Sequence, residues 1–160
     1  MRPSRDQWAM ELAVVTAKRA TCLRRHVGCV LVNARGHVIA TGYNGVAAGL
    51  KHCNEIGGSA IVGNTVGINF PHACSGSNAS SGQALDACQA IHAEQNALLQ
   101  CRDVWDIHTC YVTVSPCITC VKLLLNTSCE RIVFIEPYPH QAGQLWADAG
   151  RTWYHIADFT

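Results

Sequence analysis

The sequence predicts a three-layer α/β fold, a five-stranded mixed sheet flanked by helices. Three observations carry that prediction. The chain opens on a helical pattern followed by a hairpin pattern, it alternates strand and helix signals after residue 105, and its 160 residues, 49% of them hydrophobic, suffice for one well-filled core. Residues 1–160 are therefore expected to form a single domain.

Ser4 followed by Gln7 is a capping box, and Trp8, Leu12 and Val15 recur at helical spacing, which predicts a helix over residues 5–20 that packs one face on the sheet. Val27 to Asn33 and Val38 to Tyr43 are rich in Val and Ile, and Ala34-Arg35-Gly36-His37 supplies the turn of a hairpin between them. From Asn44 to Gly82 the pattern dissolves into Gly, Ser, Asn and Ala, an insertion at about 46–83. So long a stretch inside a compact domain needs anchors, and Cys53, His72 and Cys74 are the candidates. Periodicity returns with a helix from Ala84 to Arg102, a strand Thr109 to Val114, a helix Pro116 to Asn126 and a strand Arg131 to Ile135. A short helix Gln144 to Ala149, stopped by Gly150, leads to a last strand Thr152 to Ile156. The hairpin makes one part of the sheet antiparallel, and the later crossovers add parallel neighbours.

Composition narrows the function. No run of 18 apolar residues and no apolar leader follow Met1-Arg2-Pro3-Ser4, so a soluble, cytoplasmic protein without a membrane partner is expected. Ten cysteines without an export signal point to thiolates or metal sites rather than a disulfide scaffold, and the sequons at Asn78 and Asn126 then carry no meaning. A formal net charge of +1 offers no footprint for a long nucleic acid and favours a small ligand. The one basic concentration, Lys18, Arg19, Arg24, Arg25 and His26, is either a solvated helix end or a phosphate site.

The strongest chemistry lies in His92-Ala93-Glu94 and Ser115-Pro116-Cys117-Ile118-Thr119-Cys120. Together they match the H-x-E and P-C-x-x-C signature of zinc deaminases. Cys117 and Cys120 are three apart at a helix start, with Pro116 suited to the first turn, where the helix dipole favours thiolate. One imidazole and two thiolates make three zinc ligands, which leaves the fourth tetrahedral position for a water whose pKa zinc lowers to about 7. Glu94, two residues past His92, is placed as general acid/base. A structural zinc knuckle would need four Cys or His ligands and has no use for a neighbouring carboxylate.

These motifs, with Thr21-Cys22-Leu23-Arg24-Arg25-His26-Val27-Gly28, Thr41-Gly42-Tyr43-Asn44-Gly45 and Glu136-Pro137-Tyr138, make the chain resemble the cytidine deaminase superfamily, and within it the deoxycytidylate (dCMP) deaminases. The resemblance implies the cytidine-deaminase-like fold and zinc-dependent hydrolysis of dCMP to dUMP and ammonia, which supplies dUMP for thymidylate synthesis. It further implies that Ala93 and Ser115 orient the base, that Asn44 hydrogen-bonds the deoxyribose, and that Arg24 and Tyr138 contact the phosphate, with Arg25 and His26 as weaker candidates. Some relatives carry a second, structural zinc in the insertion. Cys22, Cys53 and Cys88 resemble its ligands here, with Cys74 or His72 as the fourth.

In allosteric relatives the segment Gly42-Tyr43-Asn44-Gly45 lines a site for dCTP as activator and dTTP as inhibitor, although a tight strand exit accounts for the same glycines. The family also implies a homo-oligomer, a hexamer or smaller. Competing readings are a deaminase of another cytosine nucleotide or nucleoside, a deaminase of tRNA adenosine, guanine or a riboflavin precursor, and a catalytically silent zinc-stabilised nucleotide-binding module. Cys29, Cys101, Cys110 and Cys129 sit in apolar segments and are expected to fill the core, as are Trp105, Trp146 and Trp153.

Overall fold

The computed structural model describes residues 1–53, 60–62, 65–68, 80, 83, 88–139 and 141–159. His72 and Cys74 lie outside the described residues. Helix α1 (Arg5–Ala17) starts at Ser4, whose hydroxyl accepts from the Gln7 N–H at 3.1 Å while its own N–H donates to the Gln7 side-chain oxygen at 2.9 Å. The helix ends at Ala17 and not at residue 20, because Arg19 and Ala20 bond back three residues, to Thr16 and Ala17, and tighten the chain out of the α-helix.

The face of α1 that meets the sheet is Ala9, Met10, Ala13 and Ala17, whereas Trp8 and Val15 are exposed. Of Trp8, Leu12 and Val15, whose spacing marked the helix, only Leu12 packs against this core. A β-carbon on Gly28 would collide with the Ala13 carbonyl oxygen and the Ala17 backbone, so helix and strand approach too closely for large side chains to lie between them.

Strands β1 (Gly28–Val32) and β2 (Val38–Tyr43) form the hairpin, with Gly36 at φ +83° in its turn. Short strand β3 (Gly45–Val46) follows, then β4 (Ala60–Val62) and β5 (Thr65–Ile68), an antiparallel pair inside the insertion. Strand β6 (Ala90–Ile91) pairs antiparallel with β3, and α2 (Ala93–Gln100) begins directly after it. The helix expected from Ala84 therefore starts later. Ala90 and Ile91 are held extended by their ladder to Val46 and Gly45, and residues 84–87 lie outside the described part.

The remaining elements are β7 (Thr109–Val114), α3 (Ile118–Leu125), β8 (Arg131–Glu136), α4 (Ala142–Asp148) and β9 (Thr152–His155). Pro116 precedes α3 instead of sitting in its first turn, because Cys117 is extended at φ −71°, ψ 170° and serves as the N-cap. The five-stranded sheet runs β2-β1-β7-β8-β9, antiparallel at its first two joints and parallel at its last two. That is the mixed sheet read from the sequence.

Side chains alternate between two cores. Val30, Val32, Tyr111 and Val133 meet α1 on one face, while Cys29, Leu31, Val112, Ile132 and Phe134 meet Ala93, Ala97, Val121, Leu124 and Trp146 on the other. The layers are thus helix, sheet, helices. Across the α1 side, Arg131 holds the Asp6 carboxylate through two hydrogen bonds of 2.9 and 3.2 Å, and the Tyr111 hydroxyl donates to it at 2.6 Å.

Cys29, Cys110 and Cys129 are fully buried, and the Cys29 and Cys110 sulfurs lie 3.5 Å apart across β1 and β7. Cys101 is half-buried, its thiol donating to the Asp103 carbonyl. Trp146 fills the core and Trp153 packs against Phe134 at 5.1 Å between ring centroids. Trp105 departs from the expectation. It is 69% exposed, turned outward where its backbone N–H donates to the Asp103 carboxylate in a tight turn. Among the described residues no helix is long and apolar enough to cross a membrane.

Candidate active site

Two helix N-termini meet where β7 ends. His92 is the N-cap of α2 and Cys117 the N-cap of α3, with Cys120 one turn further in. The His92 N–H donates to the Gln95 side-chain oxygen at 2.9 Å, which fixes the start of α2 and the backbone from which the imidazole projects. Nδ1 of His92 lies 3.4 Å from the Cys117 sulfur and 3.5 Å from the Cys120 sulfur, and all three atoms fall within 4.8 Å of one another.

The donor set fits zinc. A tetrahedral ion bound at about 2.0 Å to nitrogen and about 2.3 Å to sulfur separates those atoms by about 3.5 Å, close to the spacing seen here. The electrostatics of the metal-free cluster favour one thiolate, on Cys117, since the hydrogen bond to Cys117 and burial hold the Cys120 thiol well above its ordinary value. Hydrogen bonding from Cys120, helped by His92 and the Cys120 N–H, holds the Cys117 thiol down at about 3 despite its burial. The deprotonated sulfur that results is the form a metal takes. His92 is pushed above its ordinary value by its hydrogen bond to Cys117.

Glu94 lies one residue into α2, 4% exposed. Burial pushes its carboxyl up to about 7 against the backbone hydrogen bond and the nearby imidazole that favour the charged form. It opens, with His92 and Cys117, onto a cavity of about 300 Å³. Cys120 lies buried behind them.

The rest of that cavity is built by segments far apart in sequence. Val27, Ala90 and Val114 supply apolar wall, and Ala93 and Ser115 flank the ligand motifs. Arg24, Arg25, Asn44 and Tyr138 complete it, so the structure brings Arg24, Asn44, Ala93, Ser115 and Tyr138 into one place. The Ser115 hydroxyl accepts from the Tyr138 N–H at 2.7 Å, and the Ser115 N–H donates to the Glu136 carbonyl at 2.8 Å. The loops after β7 and β8 are thereby tied together.

Arg24 directs its guanidinium at the carbonyl oxygens of Ser80 and Gln83. Arg25, the weaker candidate in the sequence, lies 5.6 Å over the Tyr138 ring and 3.9 Å from the Glu136 carboxylate. Its Nη1 atom is buried and has no hydrogen-bond partner among the described residues. His26 does not line the cavity. Cys22 and Cys88 line it, and Cys53 is buried.

The segment read as a candidate effector region has structural duties. A β-carbon on Gly42 would collide with the Ala93 carbonyl and the Ala97 backbone, the Tyr43 carbonyl accepts from Asn96 Nδ2 at 2.8 Å, and Gly45 pairs with Ile91. Sequence reasoning passed over Gln95 and Asn96, the side chains that seat α2. Gln95 carries a local signal, since it stands at the third helical position after His92. Asn96 carries none, because its partner lies 53 residues away.

A mixed sheet that carries one imidazole, two thiols and a buried carboxyl at two adjoining helix starts fits a zinc-binding protein of the α/β class. Residues 3–136 match the family described as the cytidine and deoxycytidylate deaminase zinc-binding region. The deoxycytidylate deaminase of Mycobacterium phage D29 is 38% identical over 135 residues, which are 83% of this chain and 95% of that protein. The deoxycytidylate deaminase of Schizosaccharomyces pombe is 39% identical over 139 residues, 86% of this chain and 38% of that protein. The chain belongs to the cytidine and deoxycytidylate deaminase family. It spans less than two fifths of the length of the two yeast relatives, at 38% and 39%. The dCMP deaminase of the cyanophage S-TIM5, solved in complex with dCMP and dUMP, shares the fold at a TM-score of 0.68 and 20% identity, covering 98% of this chain and 99% of that one.

Proposed function

We propose that this chain, acting as a single deaminase domain over residues 1–160, hydrolyses dCMP to dUMP and ammonia. One observation carries the reading: Glu94 and the His92/Cys117 pair open onto the same cavity as Arg24, Arg25 and Tyr138. Proton-handling and metal-binding groups thus face a cation-bearing wall, as a phosphorylated base requires. His92, Cys117 and Cys120 would hold the zinc, whose role when bound is to activate water for attack on C4. Glu94 moves the protons, taking one from the attacking water and delivering it to N3, then taking one from the hydroxyl added at C4 and delivering it to the departing amine. Ala93 and Ser115 flank the base, Tyr138 and the arginines meet the phosphate, and the apolar wall of Val27, Ala90 and Val114 excludes bulk water.

The reading extends to a second, structural zinc on Cys22, Cys53 and Cys88 with Cys74 or His72, to a homo-oligomer, and to dCTP and dTTP as effectors at Gly42-Tyr43-Asn44-Gly45. It is tested by rates on dCMP, CMP, deoxycytidine and dCTP for the zinc-supplied protein, with dCTP and dTTP also added as effectors. Preference for dCMP supports it. Binding of dCMP without release of ammonia refutes it in favour of a silent binding module.

A further inference from the structure

Asn44 is 8% exposed and stands where β2 ends. Its side-chain oxygen accepts from the Val27 N–H at 2.7 Å and its amide nitrogen donates to the Arg25 carbonyl at 2.8 Å, while its own N–H donates to the Val27 carbonyl at 3.2 Å. Donor and acceptor partners settle which end of the amide is which. The residue therefore stitches the segment carrying Arg24 and Arg25 to the end of β2. The Tyr43 carbonyl, one residue earlier, is in turn held by Asn96 of α2. A continuous chain of hydrogen bonds runs from the helix bearing Glu94 to the arginine segment.

At the far end of that chain, the buried Nη1 of Arg25 has no hydrogen-bond partner among the described residues, and the Glu136 carboxylate stays 3.9 Å away. A buried guanidinium nitrogen without an acceptor is costly unless a ligand supplies one. A phosphate oxygen is the acceptor such a group fits.

Resting on the nucleotide-deaminase reading above, we propose that Asn44 is a positioning residue that holds Arg25 for the substrate phosphate and thereby sets the preference for nucleotide over nucleoside. This differs from direct contact with the deoxyribose, because the action of Asn44 passes through the backbone of Arg25 and Val27. Its removal lets the arginine segment shift while His92, Glu94 and Cys117, anchored on α2 and α3, stay in place.

The experiment measures kcat and KM on dCMP, and the inhibition constant of deoxycytidine against dCMP, for the wild type, Asn44→Ala and Asn44→Asp. Asn44→Ala should raise KM for dCMP at least about tenfold, a loss of about 1.4 kcal/mol, with kcat and the deoxycytidine constant unchanged. Asn44→Asp keeps the acceptor for Val27 and loses the donor to Arg25, so it should fall between the two and remains readable if the alanine variant fails to fold. Equal weakening of dCMP and deoxycytidine overturns the proposal, since a sugar contact serves both. An unchanged KM overturns it as well. Failure of the wild type to turn over dCMP refutes instead the assigned activity.

Discussion

Gly42 lies against Ala93 so closely that a β-carbon on the glycine would overlap the alanine carbonyl oxygen and press on the Ala97 backbone. The contact seats the first turn of α2 on β2, and that turn carries Glu94 and follows the His92 cap. A backbone atom cannot swing aside as a flexible side chain can, so an added methyl must push the whole helix. Gly42→Ala is expected to cost about 1–3 kcal/mol of stability and to lower kcat on dCMP far more than it raises KM. Urea denaturation alongside steady-state kinetics measures both. A variant with wild-type kcat would show that α2 does not depend on this contact.

Among the described residues that line the cavity, Glu94 is the one carboxyl. Glu94→Gln keeps the shape and removes the proton carrier. Turnover is expected to fall at least about 100-fold while zinc content stays at the wild-type level, because the donors are His92, Cys117 and Cys120 and the carboxyl is not one of them. Zinc analysis with an ammonia-release assay separates the two effects, and loss of metal together with activity would mean that Glu94 serves the metal and not the proton.

The second metal set is tested by counting. If Cys22, Cys53 and Cys88 share an ion, the wild type should bind about two zinc ions per chain, by the ligand number each site requires. Cys120→Ala should remove one of them together with all turnover. Cys53→Ala should remove the other and leave turnover in the protein that still folds. A wild type with about one zinc that survives Cys53→Ala would dispose of the structural site.

What the sequence made legible was local. The Ser4–Gln7 capping box, the bounds of β2 and β7, and the two half-motifs, His92 with Glu94 and Cys117 with Cys120, each rest on residues within a few positions of one another. Hidden features depend on what a residue meets across the fold. Which face of α1 packs is one of these: Trp8 and Val15 stay exposed, and the close approach at Gly28 places Ala13 and Ala17 against the sheet. The late start of α2 follows from a ladder to Gly45 and Val46, more than 40 residues upstream. That Arg24 is engaged by the Ser80 and Gln83 carbonyls, while a buried nitrogen of Arg25 has no partner among the described residues, is likewise visible only in the fold.

Asp6 offers a pH test of the fold that is independent of the site. The two hydrogen bonds from Arg131 hold its carboxyl below the ordinary 3.8, burial opposing and Tyr111 assisting. Because the folded pKa is the lower one, the pair contributes its full stability above pH 3.8, where Asp6 is ionised in both states. As pH falls from there, the unfolded chain takes up the proton first, and the contribution is gone once pH passes below the folded value. Both partners are about one third exposed, at 32% and 30%, which limits the pair to about 1 kcal/mol. Asp6→Asn, which keeps an oxygen for the Tyr111 hydroxyl, should therefore be less stable than the wild type by that amount at pH 7, with the gap closing as pH falls below 3.8. Urea denaturation of the two proteins across that range measures it. A gap that stays constant into acid would mean that packing of the Asp6 side chain, and not its charge, ties α1 to the sheet.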